Sequence, residues 1–207
     1  MQVLKFGGSS VANAENINKV TAIVKDKIKG GKTIVVVSAL GGITDVLLQC
    51  SNLAAKGDEA YKTKLQEAEH RHLQAVKDLI PITGQSSVLS LVKTLCNEME
   101  DICNGIFLLR ELSAQTKDRI VSYGEILSSQ IIAAKFRADL GGCEWKDARD
   151  IIITDSNFGS AAVDFAVTDK KVADYFKASS VNLFIVPGFI SADENGANTT
   201  LGRGGSD

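Results

Sequence analysis

Long apolar runs are missing from this sequence, and none approaches the roughly 20 residues that a membrane-spanning helix requires. We also expect no signal peptide, because glycines interrupt the first apolar run within a few residues. Neither sign of charge is in large excess, since the formal net charge is -2 at pH 7. These absences exclude a broad basic surface, and we expect neither a nucleic acid nor a membrane as a partner.

Cysteine is sparse and follows no metal-binding pattern. No Cys-x-x-Cys pair occurs among the four residues Cys50, Cys96, Cys103 and Cys143. This spacing disfavours both a zinc site and a disulfide framework. We therefore expect reduced, mostly buried thiols in a cytoplasmic protein.

Histidine is equally scarce. His70 and His72 are two residues apart, so on a helix they point to different faces. We predict no metal site from them and place both at the surface. Arg71 and its neighbours are interpreted as a solvated face.

Two familiar phosphate motifs are absent, namely the P-loop pattern and the dinucleotide fingerprint Gly-x-Gly-x-x-Gly. The chain instead has Lys5-Phe6-Gly7-Gly8-Ser9-Ser10 between an apolar run and an amphipathic segment that starts near Asn13. A strand-to-helix turn of this composition suits anions, because glycines let the backbone approach a ligand and helix N–H groups point at it. We predict that this turn binds phosphate. The alternative is that Gly7 and Gly8 only let the chain turn.

The apolar patterns predict an α/β fold. Apolar residues recur at helical spacing from Ile17 to Ile28, and Gly30-Gly31 ends that helix. The runs Thr33 to Val37 and Val181 to Val186 suit strands buried on both faces. Strand–helix–strand units of this kind predict parallel strands joined by right-handed crossovers.

A block from residue 58 to about residue 110 is mostly helical in pattern. We expect Pro81 to close its first helix and Ser86 or Ser87 to cap the next. The block predicts a helical excursion inserted into the sheet, with a role in packing or subunit contact. Further on, Gly124-Glu125 is expected at the start of a helix that ends at Gly141-Gly142.

Three glycine turns punctuate the chain, at Gly7-Gly8, Gly41-Gly42 and Gly202 to Gly205. In an open parallel sheet, ligands bind beyond the carboxyl ends of the strands. We therefore expect the three turns to meet in space. Backbone donors together with Lys5 and Arg203 would suit phosphoryl transfer, in which catalysis is mostly positioning and charge neutralisation.

Several side chains near these turns could bind a substrate, and each could instead have a purely structural role. Arg203 suits bidentate capture of a carboxylate or phosphate, or is an exposed loop arginine. Glu125 could pair with a substrate ammonium, or only interact with a helix dipole. Asp207 could orient an amine, a metal-bound phosphate or Lys5, or cap a helix. Ser38 and Thr44 could donate hydrogen bonds to a substrate, or serve turns and caps.

Four segments together carry a family resemblance: Lys5-Phe6-Gly7-Gly8-Ser9-Ser10, Ser38-Ala39-Leu40-Gly41-Gly42-Ile43-Thr44, Ser122-Tyr123-Gly124-Glu125 and Leu201-Gly202-Arg203-Gly204-Gly205-Ser206-Asp207. In this order they resemble aspartokinase. The continuation Val11-Ala12-Asn13-Ala14 resembles the kinase half of a bifunctional aspartokinase–homoserine dehydrogenase. The resemblance implies the amino acid kinase fold, an αβα sandwich around a mainly parallel sheet. It also implies ATP-dependent phosphorylation of the side-chain carboxylate of L-aspartate to 4-phospho-L-aspartate, on the route to lysine, threonine and methionine.

The resemblance further implies roles for the matched residues. Lys5 would neutralise the transferring phosphoryl group, and Asp207 would help to organise the active site. Aspartate would be bound by Ser38, Thr44, Glu125 (its ammonium) and Arg203 (its α-carboxylate). Phosphates would be bound by Gly7, Gly8, Ser9, Gly41, Gly42, Gly204 and Gly205. ATP with Mg²⁺ would be the phosphoryl donor, and no metal site is expected in the chain itself.

Members of the family continue beyond the last motif with a lobe for the adenosine of ATP and with regulatory domains. We therefore expect residues 1–207 to be a fragment, the aspartate-binding lobe of the catalytic domain, with little kinase activity alone. The full-length protein is expected to be a homo-oligomer. The alternatives are another kinase of the superfamily (glutamate, acetylglutamate, carbamate or uridylate kinase) and a non-catalytic binding module of the same fold. A dinucleotide-binding oxidoreductase is disfavoured by the missing fingerprint.

Overall fold

The structure, a computed structural model, describes residues 1–202. Within that range the strands form two sheets. The elements are β1 (Gln2–Phe6), α1 (Ala14–Lys27), β2 (Thr33–Val37), α2 (Ile43–Lys56), α3 (Ala60–Leu79), α4 (Ile82–Leu109), α5 (Ala114–Leu140), β3 (Glu144–Trp145), β4 (Ile153–Thr154), α6 (Phe165–Ala178), β5 (Leu183–Pro187), β6 (Ile190–Asp193) and β7 (Asn198–Thr200).

The main sheet is parallel and has the strand order β1-β2-β5-β3. Leu4 lies opposite Val35, and Val35 lies opposite Ile185, so three neighbouring strands are in register along their whole length. The predicted parallel strands are confirmed. Because the strands point the same way, their carboxyl ends and the turns after them lie along one edge of the sheet.

Helices cover both faces of this sheet. In β5, Leu183 and Ile185 pack into the cluster that includes α1, α2 and α5. Phe184, which points the other way, packs edge-to-face on Phe176 of α6 with ring centroids 4.9 Å apart. Burial on both faces is what a continuous β-branched and aromatic run predicts. The result is the expected three-layer αβα arrangement.

A second, smaller sheet has the order β4-β6-β7. β4 and β6 are parallel, while β6 and β7 form an antiparallel hairpin closed by a bond from the Asp193 N–H to the Ala197 carbonyl at 3.0 Å. β6 begins at Ile190, shortly after β5 ends at Pro187.

The helical excursion consists of α3 and α4, which pack on α2 and α5. Pro81 separates the two helices as predicted. The expected cap at Ser86 or Ser87 was wrong, because α4 begins directly after Pro81, at Ile82, and both serines lie inside it. Proline is well tolerated at a helix N-terminus because its missing N–H is not needed there.

Glu125 is not at the start of a helix, so that prediction was wrong. α5 is one continuous helix from Ala114 to Leu140, and Glu125 lies in its middle. Gly124 does not break the helix. A Cβ at this position would lie 3.1 Å from the Ala39 Cβ and 3.3 Å from the Ile43 Cγ2, so the glycine allows close packing against the second glycine turn and α2.

The predictions for the cysteines and histidines were only partly correct. All four cysteines are buried and unpaired, as predicted, and His70 is exposed. The surface position predicted for His72 was wrong, since its side chain is 0% exposed and its Nδ1 lies 2.7 Å from the Ala68 carbonyl oxygen. Among the described residues, no helix combines the length and apolar character needed to cross a bilayer.

Candidate active site

A cavity of about 750 Å³ opens at the carboxyl ends of β1, β2 and β5. Its floor is formed where these strands end, by Phe6, Val37 and Gly188. Its walls come from the turns after the strands, from the start of α2, and from one face of α5. This is the edge of a parallel sheet at which ligands bind.

The first two glycine turns meet in this cavity. Gly7 and Gly8 line it after β1, and Gly42 lines it after β2. The Gly7 carbonyl accepts hydrogen bonds from the N–H groups of Ser10 (2.9 Å) and Val11 (3.2 Å), which closes the first turn. The predicted meeting of these two turns is confirmed.

The second turn leads directly into α2. Gly42 is the N-cap residue with φ 78°, a left-handed conformation that suits glycine, and it offers no side-chain acceptor to the first helical turn. Thr44 and Asp45 in that turn also line the cavity. An uncapped helix N-terminus presents N–H donors and the positive end of the helix dipole, so this end of the cavity suits an anion.

Two of the predicted phosphate-binding residues, Gly41 and Ser9, lie outside the lining. A Cβ at Gly41 would lie 2.9 Å from the Ala12 Cβ, so this glycine serves the packing of the two turns against each other. Ser9 faces the first helix, where its carbonyl accepts a hydrogen bond from Asn16 Nδ2 at 2.8 Å. Arg71 was wrongly placed on a solvated face, because it is half-buried and its Nη2 donates to the Gly41 carbonyl at 2.7 Å. The helical excursion therefore supports the second glycine turn.

Lys5, Ser38 and Thr44 line the cavity as predicted for site residues. Lys5 is the penultimate residue of β1, which carries its side chain to the edge where the strands end. Ser38 is fixed by its backbone, since its N–H donates to the Phe6 carbonyl at 3.2 Å and its carbonyl accepts from Ser128 Oγ at 2.8 Å.

Glu125 supplies the most unusual group of the site. Its side chain is 1% exposed, and its Oε1 accepts a long hydrogen bond of 3.4 Å from the Ala39 N–H. Oε2 has no hydrogen-bond partner among the described residues. Burial raises the pKa of Glu125 to about 8, although the Ala39 N–H acts in the opposite direction. A buried carboxyl group with one open oxygen is suited to a cation of the ligand, because a positive charge beside it favours its ionised form.

Asp118 also lines the cavity, and sequence reasoning missed it. It lies seven residues before Glu125 and is 2% exposed. Its carboxylate accepts hydrogen bonds from the Gly159 N–H and from both the N–H and the hydroxyl of Thr200. Burial raises its pKa, and these three donors oppose that effect. The signal was available, because residues i and i+7 share one face of a single helix.

Sequence reasoning also missed an aromatic and glycine wall made by Phe158, Gly159, Gly188 and Phe189. Phe189 has φ 66°, which is rare for a bulky residue and commonly accompanies functional sites. The carboxyl end of β5 was the available signal, because the rule that located the first two glycine turns applies equally to it.

The third glycine segment is described only at its beginning. Gly202 lines the cavity together with Lys5 and the first two turns. The other predicted site residues of this segment, Arg203, Gly204, Gly205 and Asp207, lie outside the described residues.

The cavity therefore has two chemically distinct parts. Glycine turns, the α2 N-terminus and Lys5 favour negative charge, while the open oxygen of Glu125 favours a positive one. A ligand, or a pair of ligands, that carries phosphate at one place and an ammonium at another would match both.

A parallel sheet with this cavity at its strand ends places the protein among the α/β proteins that bind ligands beyond the carboxyl edge. The sequence matches the Amino acid kinase family over residues 1–207. The chain belongs to the amino acid kinase family.

Within this family, the chain is similar to aspartokinases. The chloroplastic bifunctional aspartokinase/homoserine dehydrogenase 1 of Arabidopsis thaliana is 32% identical over 208 residues, which cover 99% of this chain and 22% of that protein. The aspartokinase of Chlamydia trachomatis is 31% identical over 205 residues, covering 99% of this chain and 43% of that protein. The crystal structure of E. coli aspartokinase III in complex with aspartate and ADP has a TM-score of 0.87 and 28% identity, over 99% of this chain and 44% of that chain. The chain spans less than half the length of each of these proteins.

Proposed function

We propose that this chain is the aspartate-binding lobe of an ATP-dependent aspartate kinase. The observation that carries the proposal is the convergence of Lys5, two glycine turns and the buried Glu125 on one cavity. Lys5 and the two glycine turns suit a phosphoryl group, and Glu125 suits an ammonium group. Aspartate has an ammonium to offer Glu125 and a side-chain carboxylate to offer a phosphoryl donor.

In the proposed reaction, an oxygen of the aspartate side-chain carboxylate attacks the γ-phosphorus of ATP. The bond from that phosphorus to the bridging oxygen breaks, ADP leaves with the electron pair, and 4-phospho-L-aspartate forms. Lys5 would stabilise the charge on the moving phosphoryl group, and the N–H groups around Gly7, Gly8 and Gly42 would hold its oxygens.

Glu125 would orient the substrate by binding its α-ammonium through the open Oε2. Ser38 and Thr44, which line the same cavity, would contribute hydroxyl hydrogen bonds to the substrate. Arg203 and Asp207 keep the roles that the family resemblance implies, with Arg203 on the α-carboxylate and Asp207 organising the active site.

Mg²⁺ would enter as the ATP complex, held by the nucleotide phosphates and neutralising their charge. Among the described residues, no group of three or more His, Cys, Asp or Glu side chains is placed to hold a metal ion. We propose that the adenosine is bound by a part of the full-length protein beyond this chain, so that the 207 residues alone turn over little ATP.

Calorimetric titration of the chain with L-aspartate tests the substrate assignment. We expect L-aspartate to bind and N-acetyl-L-aspartate to bind at least about tenfold more weakly, because acetylation removes the charge that Glu125 would bind. L-glutamate and N-acetyl-L-glutamate test the related kinases. Equal binding of the acetylated and free amino acids would refute the ammonium role.

A coupled ADP-release assay tests the catalytic part of the proposal. The full-length protein should phosphorylate L-aspartate, and Lys5→Met should abolish turnover, whereas Lys19→Met should not. Lys19 is an exposed lysine that pairs with Glu15 on α1. A full-length protein that binds aspartate without turnover would instead support a non-catalytic binding module.

We further propose a cytoplasmic, homo-oligomeric full-length protein. The compartment is supported by four buried, unpaired thiols, which are typical of reducing environments. The oligomeric state is supported by the family resemblance alone, and sedimentation of the full-length protein would test it.

A further inference from the structure

Two segments that line the cavity are joined by one carboxylate on α5. Oδ2 of Asp118 accepts hydrogen bonds from the backbone N–H of Gly159 at 2.8 Å and of Thr200 at 2.9 Å. Oδ1 accepts a third bond, from the Thr200 hydroxyl, at 3.0 Å. Asp118, Gly159 and Thr200 all line the cavity. A single side chain thus ties a helix, a loop and the end of β7 together at the ligand-binding edge.

The two segments also contact each other. The Ala161 N–H donates to the Thr200 carbonyl at 2.8 Å. Gly202, with φ 73°, runs so close to the loop that a Cβ there would lie 3.2 Å from Ser160 Oγ and 3.5 Å from the Gly159 carbonyl oxygen. The path of the chain into Gly202 therefore depends on where Gly159 and Thr200 are held.

Asp118 shares its helix face with Glu125. The two residues are seven positions apart, which is about two helical turns, and both line the cavity. α5 is continuous between them. Because a helix is stiff over this distance, α5 fixes the position of the Glu125 carboxylate relative to the segments that Asp118 holds.

The three bonds are not needed to complete regular secondary structure. Gly159 lies in a turn, and Thr200 is the last residue of β7. An ionised carboxylate is the appropriate acceptor for this place, since charge-assisted bonds are stronger than neutral ones and a carboxylate accepts at both oxygens.

Asp193 provides a natural comparison in the same chain. Its carboxylate also accepts two backbone N–H bonds, from Asn195 at 3.0 Å and Ala197 at 2.9 Å, and one hydroxyl bond, from Ser156 at 2.8 Å. It is 5% exposed. Neither Asp193 nor any of its three donors is among the residues that line the cavity. Both carboxylates accept three hydrogen bonds, but only Asp118 and its donors line the cavity.

We propose that Asp118 is a positioning residue whose carboxylate holds the Gly159 loop and the Thr200–Gly202 segment in the arrangement that binds the ligand. The proposal rests on the proposed function for the identity of the ligand. The attachment of the two segments to α5 does not rest on it, and this allows the two ideas to be tested separately.

The experiment compares the wild-type chain with Asp118→Ala, Asp118→Asn and Asp193→Ala. Affinity for L-aspartate is measured by titration calorimetry. Amide hydrogen exchange at Gly159 and Thr200 is measured without ligand, and thermal unfolding reports stability.

Asp118→Ala should weaken aspartate binding by roughly tenfold or more and should speed exchange at both amides by a similar factor. Asp118→Asn should recover part of both effects, because its amide oxygen can accept the two N–H groups and its NH₂ can donate to the Thr200 hydroxyl. Asp193→Ala should lower the unfolding temperature without changing affinity or exchange at these two amides.

Wild-type affinity in Asp118→Ala would overturn the proposal. So would an equal loss of affinity in Asp193→Ala, because the effect would then follow stability and not position. If Asp118→Ala does not fold, Asp118→Asn decides, and unchanged exchange at Gly159 and Thr200 in that variant would overturn the proposal. If the wild type binds no aspartate, the proposed function has failed, and the exchange measurement alone still decides whether Asp118 holds the two segments.

Discussion

Replacing Glu125 by glutamine should make the ligand-free protein more stable at alkaline pH while abolishing its binding of an ammonium ligand. The wild-type carboxyl is 1% exposed, and one of its oxygens has no partner among the described residues. Ionising such a group requires removing a charge from water without compensation. Glutamine has nearly the same shape and no charge to bury.

The magnitude follows from the pKa. Burial raises the pKa of Glu125 from its ordinary value near 4.5 to about 8 in the folded protein. The folded state therefore binds the proton more tightly than the unfolded state, and the free energy of unfolding falls as the pH rises between these two values. At about 1.4 kcal/mol for each pH unit, the total loss is on the order of 5 kcal/mol at pH 9. A loss of that size is a large part of the stability of a typical domain.

Urea unfolding at pH 4.5, 7 and 9 measures the effect. Glu125→Gln should lie within about 0.5 kcal/mol of the wild type at pH 4.5, where the carboxyl is protonated in the folded state and half ionised in the unfolded state. It should exceed the wild type by several kcal/mol at pH 9. The exposed Glu111 offers a matched control, since Glu111→Gln should follow the wild type at every pH. A Glu125→Gln variant that is no more stable than the wild type at pH 9 would refute the reasoning. So would a difference that does not depend on pH.

Three further variants test the packing and the buried polar groups. Gly124→Ala should destabilise the protein by about 1–3 kcal/mol in urea unfolding and should weaken ligand binding. The new Cβ would lie 3.1 Å from the Ala39 Cβ and would displace the turn beside Glu125. An unchanged unfolding midpoint would contradict this prediction. Burial lowers the pKa of His72 to about 4, so its contribution to stability is complete above about pH 6.5 and is lost as the pH falls to 4. His72→Leu should therefore reduce the loss of unfolding free energy between pH 6.5 and 4. An unchanged loss in this variant would show that other groups cause it. Tyr61→Phe removes a hydrogen bond of 2.5 Å from the Tyr61 hydroxyl to Asn104 Oδ1. The free energy of unfolding should fall by about 1 kcal/mol. A reduction near zero would show that water replaces the bond.

The local patterns of the chain were sufficient for much of the fold. The β-branched run Thr33 to Val37 predicted a strand buried on both faces, and β2 occupies those residues. Pro81 separated two helices because a proline lacks the N–H and the freedom to continue one. The glycine turns after β1 and β2 predicted a binding edge, because parallel strands bring their carboxyl ends together whatever else the sequence contains.

Three of the errors concern residues whose surroundings in the fold differ from what their local sequence suggested. Gly124 suggested a helix start, yet it lies inside α5, where Ala39 and Ile43 approach it from outside the helix. His72 and Arg71 have the polarity of surface residues, but one fills the core and the other donates to the Gly41 carbonyl. For Gly124 and Arg71 the deciding contact comes from a residue far away in sequence. His72 is buried in the core, although its hydrogen bond is to Ala68, only four residues earlier.

The sequence by itself determined most of the periodic elements, the parallel direction of the main strands, and the edge at which two glycine turns meet Lys5. These features follow from short-range sterics and from apolar spacing. Only the tertiary structure decided that Glu125 is buried with an open oxygen and that Asp118 holds Gly159 and Thr200. Burial and hydrogen bonding of a carboxylate depend on which distant segments close around it. That closure is settled by packing of the whole chain, and no local pattern records it.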